Sequence, residues 1–300
     1  MLSITRLLQA LLIFVLLPAG AVQADPVTLL HVHGLAYSAD GKQLMIPSHH
    51  GLAIYAEGRW SKAPGPAHDY MGFAATRDAL YSSGHPAPGS GFVNPFGLIK
   101  SRDGGRTWRK LGLEGESDFH LMTASHGTNT IYVFNPATNS RMRQTGIHFT
   151  LNDGMKWQAA AAKGLRGRLA TLAVHPSDAR VVAAGTAEGL FLSRDAGQSF
   201  ERITAVQGVL GTHFDLDGHS LWFSSHAGRP GFARIALKPG AKPEEVPLPA
   251  LSEDAISYIA QNPARHHEVA VATFKRSVFV SPDRGRTWKQ IAAQGTGQDH

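Results

Sequence analysis

Ser101-Arg-Asp-Gly-Gly-Arg-Thr-Trp108, Ser193-Arg-Asp-Ala-Gly-Gln-Ser-Phe200 and Ser281-Pro-Asp-Arg-Gly-Arg-Thr-Trp288 are three copies of one octapeptide. A degenerate copy, TLNDGMKW, stands at 150–157, and a more eroded one, IYAEGRW, at 54–60. The anchoring aromatics Trp60, Trp108, Trp157, Phe200 and Trp288 lie 48, 49, 43 and 88 residues apart. The last gap is twice 44, so a further unit belongs near residue 244, where KPGAKPEEV has replaced the octapeptide. Each copy has the chemistry of a tight turn. Asp103, Asp195 and Asp283 can accept bonds from turn amides. Gly105, Gly197 and Gly285 can supply a positive φ. Trp108, Phe200 and Trp288 are large enough to pack between repeated units. Turn chemistry accounts for these aspartates without a catalytic role.

Short apolar runs precede each turn. In the fourth unit they are LATLAV (169–174), VVAAGT (181–186) and GLFLS (189–193); in the sixth, ISYIA (256–260), EVAVATF (268–274) and SVFVS (277–281). Gly, Pro and Asp separate them, as expected for strands. A period of about 40–50 residues with four strands fits a propeller blade. Units begin near residues 31, 69, 118, 168, 209 and 255. The expectation is an all-β chain forming a single six-bladed β-propeller with four-stranded blades. Seven blades would follow if Pro26–Leu30 and the tail after Trp288 built another.

The octapeptide resembles the Asp-box, or BNR, repeat. The resemblance spans nearly the whole chain after its leader and implies a β-propeller with Asp-box turns joining the third and fourth strands. HVHGL, HHGL, DYMGF, SGHP and ESDFH look like a group of exported bacterial proteins named sialidase-like or glycosyl hydrolase. That resemblance makes a glycoside hydrolase one reading, with Asp69 and Asp118 as its carboxylate pair. Sialidase chemistry is disfavoured. It needs three arginines and a Tyr-Glu pair, whereas the aligned inner positions offer Arg168 alone and no glutamate beside Tyr70.

In a propeller the start of the first strand and the end of the second share one face of the disc. Alignment places Val32-His33-Gly34-Leu35 over Tyr70-Met71-Gly72-Phe73 and Phe119-His120-Leu121-Met122. Ala170, Leu210 and Ser257 continue the column of His33. His31, Asp69 and Asp118 lie close before it, and His49, His50, His85 and His226 lie at ends of second strands. His31 and His33, two apart in a strand, share a side, with Cα atoms about 6.6 Å apart. The expected metal ligands are therefore His31, His33, His49, His50, Met71, His85 and His120, with Asp69 and Asp118 orienting imidazoles. Copper or zinc suits this donor set, and no organic cofactor is implied. His126, His148, His175, His213, His219, His266 and His267 read as turn or strand residues.

Residues 1–24 read as a cleavable signal peptide: Arg6, the apolar stretch Leu7–Leu17, and Val22 and Ala24 before a cut at Asp25. Residues 25–300 would then be the propeller, periplasmic or secreted, with no stable membrane span after cleavage. The absence of cysteine excludes disulfides and thiolate chemistry. The net charge of +6 falls to +5 without Arg6. No recognition helix or aromatic RNA-binding motif accompanies it, so nucleic acid is not expected as a partner. A metal ion or small ligand at the channel mouth is. A protein partner bound by a pure interaction scaffold is the remaining alternative.

Overall fold

The computed structural model describes residues 27–300 and contains no helix among them. The signal-peptide expectation lies outside the described residues. Six antiparallel sheets follow one another along the chain, each running from an inner to an outer strand. Their inner strands are Ala36–Tyr37, Asp69–Ala75, Met122–Ala124, Leu169–Val174, Val209–Phe214 and Ile256–Gln261. The fold is a six-bladed β-propeller.

The strands are apolar on both faces because each blade is sandwiched between two others. In the second strand of blade one (Leu44–Ser48), Leu44 and Ile46 pack against Ala270, Ala272 and Val278 of blade six. Met45, pointing the other way, packs with Tyr70 and Phe73 of blade two. Four more clusters of this kind complete the ring. At about 1.5–3 kcal/mol for each large apolar side chain fully buried, these interfaces hold the ring without disulfides.

The octapeptide turns sit between third and fourth strands, at the rim. Asp103 Oδ1 accepts from Thr107 N at 2.9 Å and Oδ2 from Thr107 Oγ1 at 2.6 Å. Ser101 Oγ donates to Asp103 at 2.8 Å and accepts from Gly105 N at 2.9 Å. The copies at Asp195 and Asp283 repeat every one of these bonds. Gly105, Gly197 and Gly285 have φ of 87°, 80° and 84°, the left-handed backbone expected of them. Each anchoring aromatic, from Trp60 to Trp288, packs into the cluster shared with the preceding blade. Blade five, without an octapeptide, still closes with a short outer strand, Glu244–Glu245.

Among the described residues, the segments 27–30 and 289–300 do not form a seventh blade. Thr28 bridges Thr296, Leu29 N donates to Gly295 O, and Gly297 N donates to Val27 O at 2.9 Å. They extend the outer edge of blade six, where Thr296–Gly297 adds a fifth short strand. Trp60 Nε1 donates to Ile291 O at 2.8 Å, and His300 N donates to Gly58 O at 2.8 Å, so the C-terminal segment is also tied to blade one.

Candidate functional site

The inner strands line a channel of about 230 Å³. His33, His120, Ala170, Leu210 and Ser257 all face it, as the column alignment requires, whereas Met71, the sixth member of that column, is not among the lining residues. The structural cause is a repeated β-bulge. In blade two Tyr70 pairs with Gly84 and Gly72 with Ser83, leaving Met71 as the extra residue. Ala170, Leu210 and Ser257 are the extra residues of blades four, five and six. Bulges re-aim a side chain and interrupt the ladder, and they recur beside functional sites. His33 and His120 occupy the same place just ahead of their inner strands: His33 N donates to Pro47 O, and Phe134 N donates to Leu121 O. The glycine after His33 allows the close approach this demands. A Cβ on Gly34 would lie 3.0 Å from both Phe73 Cβ and Pro47 Cγ.

At the mouth, His31, His33 and His49 each offer a ring nitrogen, and these atoms lie within 4.8 Å of one another. The His31 and His33 rings are nearly parallel, with centroids 5.8 Å apart, and the His49 ring stands edge-on to both. His49 Nδ1 is 2.7 Å from Asp69 Oδ1, an ion-pair distance with the N–H aimed off the line. His33 Nε2 is buried and makes no hydrogen bond. Burial, and then the neighbouring charge of His49, lowers the His33 pKa to about 4. It is therefore neutral at pH 7, as a metal-bound imidazole must be.

A second group stands beside the triad. Asp118 Oδ2 lies 2.8 Å from His120 Nε2 and 3.3 Å from His85 Nε2. The His120 pKa is raised, chiefly by its hydrogen bond to Asp118. The other oxygen, Asp118 Oδ1, is buried without a partner. Asn94 Oδ1 contacts His85 Nδ1 at 2.7 Å and fixes that ring from behind.

The expected ligands thus divide. His31, His33 and His49 converge; His85 and His120 meet on Asp118; His50 is exposed and outside the convergent triad, and Met71 is half-buried. Asp69 and Asp118 both face imidazoles. His226 is exposed at the end of its strand. Two histidines read as ordinary turn or strand residues face the channel instead, His126 and His213. Burial lowers both pKa values, that of His213 to about 4. Position within the inner strand would have found His213, which is three residues past the column residue Leu210. Phe274 was also legible, since it follows the second strand of blade six, Val269–Thr273, as His49 follows its own. Asn94 lies in a loop with no repeat partner, so alignment carries no signal for it.

Fold and site together define a six-bladed β-propeller with a histidine triad at one channel mouth. Its solved structural neighbours are propellers of varied kinds. The GH74 enzyme of Niastella koreensis superposes with a TM-score of 0.59 at 14% identity, covering 88% of this chain and 46% of the enzyme. An ancestral GH74 enzyme gives 0.53 at 15% identity, covering 89% and 39%. The chain thus spans less than half the length of either GH74 enzyme. The Myceliophthora thermophila Cps50 (Swd1) propeller domain gives 0.54 at 11% identity, covering 87% and 86%. At these identities the likeness is one of fold. No family model matches the sequence, and no curated protein matches it.

Proposed function

We propose that this chain is an exported propeller of Asp-box repeats whose channel mouth binds a transition-metal ion, copper or zinc, through His31, His33 and His49. The observation that carries this is the convergence of three imidazole nitrogens within 4.8 Å, with His33 Nε2 buried and otherwise unbonded. A buried acceptor without a partner is costly, and a cation would satisfy it. Asp69, 2.7 Å from His49 Nδ1, would complete a carboxylate–histidine–metal arrangement on a small turn of the ring, leaving Nε2 for the metal. Three nitrogen ligands with His31 exposed leave a coordination position open to solvent or ligand. The all-imidazole donor set favours copper over zinc by intrinsic affinity. Met71 on the adjacent blade would add a thioether if its side chain swings to the mouth. Elemental analysis and calorimetric titration of the protein from residue 25 test this. One equivalent of copper or zinc is expected for the native protein and none for the His33→Ala, His49→Ala double variant. No metal in either preparation overturns the reading.

The fold shared with GH74 enzymes favours a second reading, a glycoside hydrolase using Asp69 and Asp118. The contacts of both carboxylates with imidazoles suit orientation better than acid–base chemistry on a sugar. A panel of chromogenic glycosides separates the two. Activity lost in Asp69→Asn and Asp118→Asn would support the hydrolase. A protein that neither holds metal nor cleaves glycosides but co-purifies with a partner would be an interaction scaffold.

A further inference from the structure

A groove of about 440 Å³ opens directly beside the triad. His31 forms one wall and is shared with the metal site. Leu30, Tyr258, Thr273, Phe274 and Arg276 form much of the remainder. Two of its side chains are unusual for a soluble surface. Phe274 is 60% exposed and Leu30 38%. Together they supply two of the five exposed large hydrophobic side chains among the described residues. Large apolar groups clustered at a concave surface mark a binding site more often than chance exposure does.

The polar side of the groove has one sign. Arg276 Nη1 donates to Leu30 O at 3.1 Å, which fixes the guanidinium across the groove. It has no carboxylate partner among the described residues, and no Asp or Glu lines the groove. A metal ion on the triad would add a second positive charge, with its open position beside His31. A planar guanidinium with free donors matches a carboxylate in shape and charge.

We propose that this groove is the second half of the ligand site, taking a small carboxylic acid that carries an aromatic or alkyl group. One carboxylate oxygen meets the triad-bound metal and the other the Arg276 fork, and the apolar group lies against Phe274 and Leu30. The inference rests on the metal reading above. Burying the apolar group supplies affinity, while the charge pair selects an acid over its neutral analogue.

The test uses the protein from residue 25, first titrated with zinc and then, zinc-loaded, with 3-phenylpropanoate or 3-phenylpropan-1-ol in a calorimeter. The loaded protein is expected to bind the acid and not the alcohol. Binding of the acid should weaken about tenfold or more without zinc, and by a similar factor in Arg276→Gln. Phe274→Ser should weaken it several-fold. Zinc uptake by Arg276→Gln at one equivalent shows that this variant is folded. If that variant does not fold, Arg276→Lys keeps the charge and loses the fork, and a several-fold loss is expected. Equal binding of acid and alcohol, or undiminished binding in the arginine variants, overturns the proposal. Zinc binding without carboxylate binding ends this inference alone, whereas failure of both zinc and copper to bind ends the metal reading and the bridge together.

Discussion

The rim turns and the channel mouth are both rich in polar side chains, and they differ in where those side chains find partners. At the rim every oxygen of the Ser101–Asp103–Thr107 set is bonded inside the same eight residues. Hydrogen bonds to Thr107 hold the Asp103 carboxyl down to about 2, and Ser199 does the same for Asp195. At the mouth, His33 Nε2 and Asp118 Oδ1 are buried with no hydrogen bond, and Asp69 Oδ1 has only a misaimed contact. A self-satisfied polar motif completes a turn. Convergent polar atoms left open are what a bound cation or ligand would complete.

The largest effect is expected where the rim departs from this self-sufficiency. Asp215, fully buried, contacts Arg284 of the blade-six turn and Arg234 at 3.0 Å. Asp215→Ala leaves two arginines facing a buried gap and should destabilise the fold by about 3–5 kcal/mol, read by chemical denaturation. Metal affinity of the surviving folded protein should not change. At the mouth the order inverts. His33→Ala should weaken metal binding by about 100-fold or more, on the scale of losing one of three ligands, with little loss of stability. Asp69→Asn should weaken metal binding by about 10–100-fold, the range for removing a ligand's outer partner, while the melting temperature stays near native.

A pH series sharpens the contrast. Burial holds His33 and His213 neutral in the fold, down to about 4. Their folded pKa values lie below the unfolded value of about 6.5, so the metal-free protein is stabilised by them above that pH. That stability should be lost as pH falls from about 6.5 towards 4, seen as a falling melting temperature. His33→Asn should flatten the curve, and Asp103→Ala should leave its shape unchanged. The smallest effect is expected for Asp103→Ala itself, about 1 kcal/mol of stability from lost turn bonds, with metal binding intact.

Rim and mouth also differ in how far the sequence exposes them. The octapeptide is legible because its bonds join residues two and four apart, so the motif and its function as a turn occupy the same string. The six-blade count follows from its period, and the inner strand Leu169–Val174 coincides with LATLAV. Blade five shows the limit, since its outer strand persists at Glu244–Glu245 with the motif gone and only the doubled spacing of the aromatics to mark it. The mouth was legible in part, through repeat symmetry. That symmetry aligned His33 with His120 and the end of one strand with the start of another. It did not show that the aligned residues are bulges, because a bulge is defined by the partner strand's register.

By itself, then, the sequence determined the repeating unit, the turn chemistry at the rim and the faces on which histidines would gather. These follow from local hydrogen bonding and from a period that repeats along the chain. The tertiary structure alone decided which histidines converge, separating His31, His33 and His49 from the Asp118-bound pair His85 and His120. It alone placed Arg276 and Phe274 beside the triad. Ring closure sets those distances by bringing blade six against blade one, across more than 200 residues of chain, and no local pattern carries that contact.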